Sequence, residues 1–376
     1  MLSSLPKLAD RSFLIGYLVP AALFLAAFAS LFSDWPGLVE PLGLGGEADG
    51  LEVLAKAAIS VWLFAIVLSL LNTVLYQVVE GYRPPVAWLG FLKRRALARH
   101  DAAKHEIDTL AAAWKKAGNA YPKALQDRHD QSLQHFVAHY PSDRDLVLPT
   151  RFGNTIRAFE DYSRALYGAD SIPLWIHLTT VIPKDFLENV NDARTHVNSL
   201  LNIVVLATMF GVLALARYLA SMPWADFMAA DLAFMLAGSQ AGFLLYAIAA
   251  IVTAWLAYEL AIERSVAWGS LVKAAFDCFL PDLGQKLGAT TPQAAGESEA
   301  FWVGVSRQAI YNRPRPQKAP ATKKPAARAG KAKTNTARAR STAGGATKKQ
   351  SAPAKKSPGT GTAKAKAGGR KKTADG

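Results

Sequence analysis

The chain has 376 residues, is 51% hydrophobic and 19% charged, and carries a formal net charge of +14 with a single cysteine. One cysteine, Cys278, excludes an intramolecular disulfide and any paired-cysteine metal site. The charge is uneven: residues 313–376 hold 19 Lys and Arg against one acid, or +18, which leaves −4 for residues 1–312.

No Asp, Glu, Lys or Arg lies between Arg11 and Asp34, Lys56 and Glu80, Arg194 and Arg217, or Asp231 and Glu259, runs of 22, 23, 22 and 27 residues. About 20 apolar residues cross a bilayer as a helix, and inside hydrocarbon the backbone must pair within its own segment. The expected fold is therefore all-α and integral to the membrane. Four transmembrane helices fall at about 12–33, 57–79, 198–219 and 237–258, within segments 1–79 and 196–262. The first run is too long for the apolar part of a cleaved signal and reads as an anchor, with Pro20 expected to kink it.

Basic residues stay on the cytoplasmic side. Residues 34–55 have no Lys or Arg and five acids, and residues 218–240 have none either, whereas residues 80–195 carry 16. Both termini and the insert are thus expected in the cytoplasm of a bacterial inner membrane protein. Trp35, Tyr218 and Trp224 mark the outer boundary, and Tyr76, Tyr82 and Tyr258 the inner one.

The insert, residues 80–195, reads as helical. A long helix is expected over Ala87–Ala117 after Pro84 and Pro85, and a second over Pro122–His139. A third starts near Asn154 as its cap, with Ile156, Phe159, Leu166 and Tyr167 on one face. The stretch 183–202 continues into the third span. Beyond the fourth span, residues 263–312 form a cytoplasmic helical segment that packs on the insert, in which Pro281 is expected to bend or break a helix, and a last helix covers Glu297–Tyr311.

Within the insert, Arg151, Asn154, Arg157, Glu160, Asp161 and Asp170 are the candidate binding residues. The spacing pairs Arg157 with Asp161 and Glu160 with Arg164 as i,i+4 partners, so helix-surface ion pairing competes with ligand binding as their role. His129, His135 and His139 read as solvated surface histidines, because Phe136 stands where a helical zinc site would need Glu. No catalytic residue, metal set or cofactor motif is identified.

The segment from Pro149 to Trp175, with Thr150, Arg151, Gly153, Asn154, Arg157, Glu160, Asp161, Tyr167, Gly168 and Asp170, resembles a shared pattern of uncharacterised bacterial multi-pass membrane proteins. Glu80-Gly81-Tyr82 and Ala275-Phe276-Asp277 with Leu283 resemble the same family. The resemblance implies this architecture and no activity, and His177 departs from it where a residue such as Arg is expected.

Residues 313–376 have no aliphatic or aromatic side chain larger than Ala or Pro, so a disordered tail is expected, similar in composition to linker-histone tails. Lys323, Lys324, Lys348, Lys349, Lys355, Lys356, Arg370, Lys371 and Lys372 would bind DNA, RNA or acidic lipid through counterion release, without base readout. The sequence thus favours a membrane-anchored scaffold or sensor, which could be a homo-oligomer. An oligomeric channel is the alternative, and an enzyme using residues 151–170 a third reading. No ionisable residue sits at a span midplane, which argues against a proton- or ion-coupled pump.

Overall fold

The computed structural model describes residues 10–44, 50–118, 121–221, 241–288 and 295–311. Among these residues the regular structure is entirely helical. We number the main helices α1 (Arg11–Leu31), α2 (Gly50–Glu80), α3 (Gly90–Ala117), α4 (Lys123–His139), α5 (Arg151–Tyr167), α6 (Ser171–Leu178), α7 (Lys184–Ala220), α8 (Ala241–Lys286) and α9 (Ala295–Tyr311). The helices α1, α2, α7 and α8 are long and apolar enough to cross a membrane, which makes this a multi-pass membrane protein. Residues 222–240, which include the start of the fourth charge-free run, Trp224 and Gln240, lie outside the described residues, as does the tail.

Pro20 acts on α1 through the hydrogen bond it cannot make. It has no N–H for the carbonyl of Gly16, and residues Leu14–Leu18 widen into a π turn just before it. Asn202 of α7 takes up that carbonyl, donating from Nδ2 to Gly16 O at 2.8 Å. Beside it Tyr76 donates to Asn198 Oδ1 at 2.6 Å, while Asn202 Oδ1 is buried without a hydrogen-bond partner among the described residues. An apolar cluster of Phe24, Leu25, Leu68, Leu206, Phe210 and Ala250 fills the space between spans. There Gly211 lets α7 approach α8 closely, with Ala250 against it.

At the end of the bundle away from α5, Arg217 is the first charge after the third run. Its guanidinium donates to Leu31 O and to Asp34, and lies over the rings of Phe32, Trp35 and Phe243 at 5.0, 5.4 and 4.8 Å. Tyr218, the next residue, is buried.

Two helices continue out of the spans without a joint. The single helix α7 covers 37 residues and α8 covers 46, and they form the most extensive helix pair among the described residues. Pro281 does not break α8. Phe276, Leu280 and Leu283 are buried on either side of it, and this packing outweighs the roughly 3 kcal/mol a proline costs inside a helix. Beyond the spans α5, α6 and α9 pack on α7 and α8 around Phe152, Leu174, Val190, Val272, Phe276 and Trp302. The hairpin of α3 and α4 joins this core along α5.

The position of α5 is set by two glycines. A Cβ on Gly153 would run into the Glu80 carbonyl oxygen at the end of α2, and one on Gly269 of α8 would meet the Phe159 ring at 2.5 Å. Phe159 in turn meets Trp268 edge-on at 5.0 Å. Because backbone cannot swing aside as a side chain can, Gly153→Ala should destabilise the protein by about 1–3 kcal/mol. Gly90→Ala, which faces open space, serves as the control in thermal unfolding of the detergent-solubilised chain. Equal melting of the two variants would contradict this packing.

Candidate functional site

The charged segment is built on α5, whose ends are fixed by local chemistry. Thr150, not Asn154, caps its start: the Thr150 hydroxyl accepts from Gly153 N at 2.9 Å and donates to Glu80 O at 3.0 Å. Gly168, at φ 71°, ends it, with Gly168 N bonded to Arg164 O and Ala169 N to Ser163 O. Asp170 then caps α6, accepting from Ile172 N at 3.3 Å.

Asn154 lies one turn inside α5 and is 2% exposed. Its Oδ1 accepts from Leu148 N at 2.6 Å and its Nδ2 donates to Leu148 O at 2.9 Å, so one side chain satisfies both backbone groups of that residue. Asp161, 5% exposed, does similar work on the same loop. It accepts from Ser142 N at 3.2 Å, from the Ser142 hydroxyl, and from Arg164 Nε and Nη2 at 3.0 and 2.8 Å. These two residues fasten the loop that carries the chain from α4 into α5.

The ion pairs differ from the i,i+4 expectation. Arg157 meets Glu160 at 3.3 Å and Arg164 meets Asp161 at 2.8 Å, both i,i+3. The reason is tertiary: Asp161 is held by Ser142, and Arg164 leans toward the same loop, where Asp143 lies 3.8 Å away. Glu160 is left to Arg157, which stacks over Tyr82 at 5.4 Å and also faces Glu80. Burial pushes the Glu160 carboxyl up, Arg157 pulls it back and Asp170 adds to the rise.

Sequence reasoning missed the group that ties α3 to this loop. His100 is 1% exposed, bonds Pro141 O through Nε2 at 3.3 Å and packs against Phe136 and Tyr140. Next to it Arg144 grips Asp101 bidentately at 2.8 and 2.9 Å, which holds the Asp101 carboxyl down at about 2. Nothing in the sequence distinguishes His100 from the exposed histidines around it. The half-buried Tyr140 and the buried Pro141 become its partners only when α3 and α4 pair.

His139 is likewise not a solvated surface residue. It is half-buried, lies tilted against the His135 ring with centroids 4.5 Å apart, and bonds Thr155 Oγ1 through Nδ1 at 3.3 Å. The Thr155 hydroxyl gives its hydrogen to Arg151 O at 3.1 Å, so the ring donates to Thr155 and keeps Nε2 as an acceptor. His129 is apart from these two, edge-on to Trp114 at 5.7 Å, and among the described residues no three His, Cys, Asp or Glu side chains gather as a metal site.

Arg151 is the predicted residue whose charge faces an open space. It pairs with Glu259 of α8 at 2.5 Å and lines a cavity of about 130 Å³ together with Arg95, Arg99, His135, His139 and Asn154. Thus Asn154, Asp161 and Asp170 hold backbone, Arg157 and Glu160 pair with each other, and Arg151 faces the cavity. The tail lysines and arginines lie outside the described residues. Compared with known protein families, curated proteins and solved structures, the chain matches none.

The environment of His139 gives a pH test. Burial first, then the neighbouring His135 and Arg151 charges, lower its pKa from 6.5 to about 4. A histidine held neutral by the fold contributes stability that is fully present above about 6.5 and is lost as pH falls toward the folded value of about 4. The melting temperature should therefore fall over that window, and His139→Gln should flatten the slope. An unchanged slope in the variant would contradict this environment.

Proposed function

We propose that the protein is a bacterial inner-membrane scaffold or sensor, with both termini and residues 80–195 cytoplasmic, whose basic tail holds polyanions close to the membrane. The observation that carries this reading is the charge split, +18 in residues 313–376 against −4 in the rest. A chain with that composition binds phosphate backbones and acidic headgroups by releasing counterions. Two features of the body support an anchoring role. The helices α7 and α8 run unbroken from the spans into the domain, so the domain is rigidly mounted. The polar residues Tyr76, Asn198 and Asn202 bond to one another or to backbone inside the bundle, which favours an anchor over a water-filled pore.

The site residues favour the same reading over catalysis. Asp161 and Asn154 have their oxygens occupied by backbone and neighbouring side chains, and the Arg157 and Glu160 pair faces Tyr82.

The test is a pull-down of the solubilised full chain and of a chain ending at Asn312, scored for nucleic acid and acidic lipid across a salt series. The full chain should retain duplex DNA of any sequence at low salt and release it steeply as salt rises, while the shortened chain inserts normally and retains none. Retention by the shortened chain, or strong discrimination between scrambled duplexes, would overturn the proposal.

A further inference from the structure

We propose that the cavity between α3, α4 and the first turn of α5 binds a phosphate group at the membrane surface. This site belongs to the folded body and is separate from the basic tail.

Its charge is uncompensated. Arg95, Arg99 and Arg151 all line the cavity, which holds about 130 Å³. Only Arg151 has an acid partner, Glu259; among the described residues Arg95 and Arg99 have neither an ion pair nor a hydrogen bond. Nearby acids are already engaged, Asp101 by Arg144 and Glu106 by Arg128. Two free guanidiniums and a third that is shared suit a doubly charged tetrahedral oxyanion, because the planar guanidinium matches phosphate oxygens bidentately. The imidazole of His139 donates to Thr155 and keeps Nε2 as an acceptor, so it brings neither charge nor a donor, and recognition of the anion rests on the arginines.

Its position points to the membrane surface. Glu259, the partner of Arg151, is the first charged residue after the fourth charge-free run. The start of α5 rests on the carbonyl of Glu80, the first charged residue after the second run. Both place the cavity at the level where the spans leave hydrocarbon. Trp88, Leu89 and Phe91, 78%, 42% and 53% exposed, precede the cavity residue Leu92, and exposed aromatic side chains at this level lie among lipid headgroups. The phosphate is therefore either a lipid phosphomonoester headgroup or a soluble phosphate; the recognition chemistry is the same.

The experiment uses the full chain in nanodiscs at physiological salt, titrated with inorganic phosphate by calorimetry. Arg95→Gln/Arg99→Gln removes two side chains that hold nothing else in place, so the fold is kept, as circular dichroism will verify. Arg94→Gln/Lys104→Gln removes two exposed charges from the same helix outside the cavity. In phosphatidylcholine discs the first pair should weaken phosphate binding at least tenfold, and the second should leave it unchanged. Adding phosphatidic acid to the discs should suppress the phosphate titration of the wild-type chain if a headgroup is the natural occupant, and leave it intact if the ligand is soluble. The inference is overturned if the cavity variant binds as the wild type does, which would assign binding to the tail, or if both double variants lose binding equally, which would assign it to general surface charge.

Discussion

The domain outside the spans depends on how the first turn of α5 is seated. Its backbone lies against the end of α2, with no room for a side chain at Gly153, and Thr150 bonds the last carbonyl of that helix. On the other flank Phe152 N donates to the Tyr258 hydroxyl at 3.2 Å and Arg151 pairs with Glu259. Two spans therefore hold one end of α5, and Phe159 against Gly269 holds its middle. From this base the order propagates outward. Asn154 and Asp161 fix the loop from Ser142 to Leu148, His100 fixes that loop to α3, and α3 carries α4.

The polar residues of α5 are used to satisfy one another and the backbone, for an energetic reason. A buried carboxylate such as Asp161 needs several donors, and removing the partners of a buried ionic group costs several kcal/mol, on the order of 3–5. The same segment thus accounts for both rigidity and the cavity. Once Asp161, Asn154 and Asp170 are committed to holding backbone, the guanidiniums of Arg95, Arg99 and Arg151 remain facing open space. Asp277 extends the pattern to α8, accepting from Tyr162 at 3.0 Å and Tyr167 at 2.8 Å.

What could be read from the chain was whatever one segment decides alone. Charge-free runs of 22 or more residues have one structural solution in a bilayer, so the four spanning helices were legible, as were α3 and α4 from their apolar spacing. The remainder depends on partners distant in sequence. Asn154 resembles a cap by type, but Thr150 has the Glu80 carbonyl beside it and takes that role. Helix periodicity pairs Arg157 with Asp161, but Ser142 claims Asp161 first. Pro281 looks like a break until Phe276 and Leu283 are packed around it. His139 looks solvated until Thr155 lies next to it. The cavity was invisible for the same reason: Arg95 and Arg99 are more than 50 residues from Arg151 along the chain.

Hydrogen exchange of the full chain in nanodiscs, comparing wild type with Asp161→Ala, tests most directly whether α5 organises the domain. The account predicts that the variant exchanges faster across residues 140–167 and along α3, while the spanning part of α7 around Leu206 and Phe210 keeps its protection. Exchange that is unchanged in residues 140–167, or that rises equally throughout the spans, would contradict it.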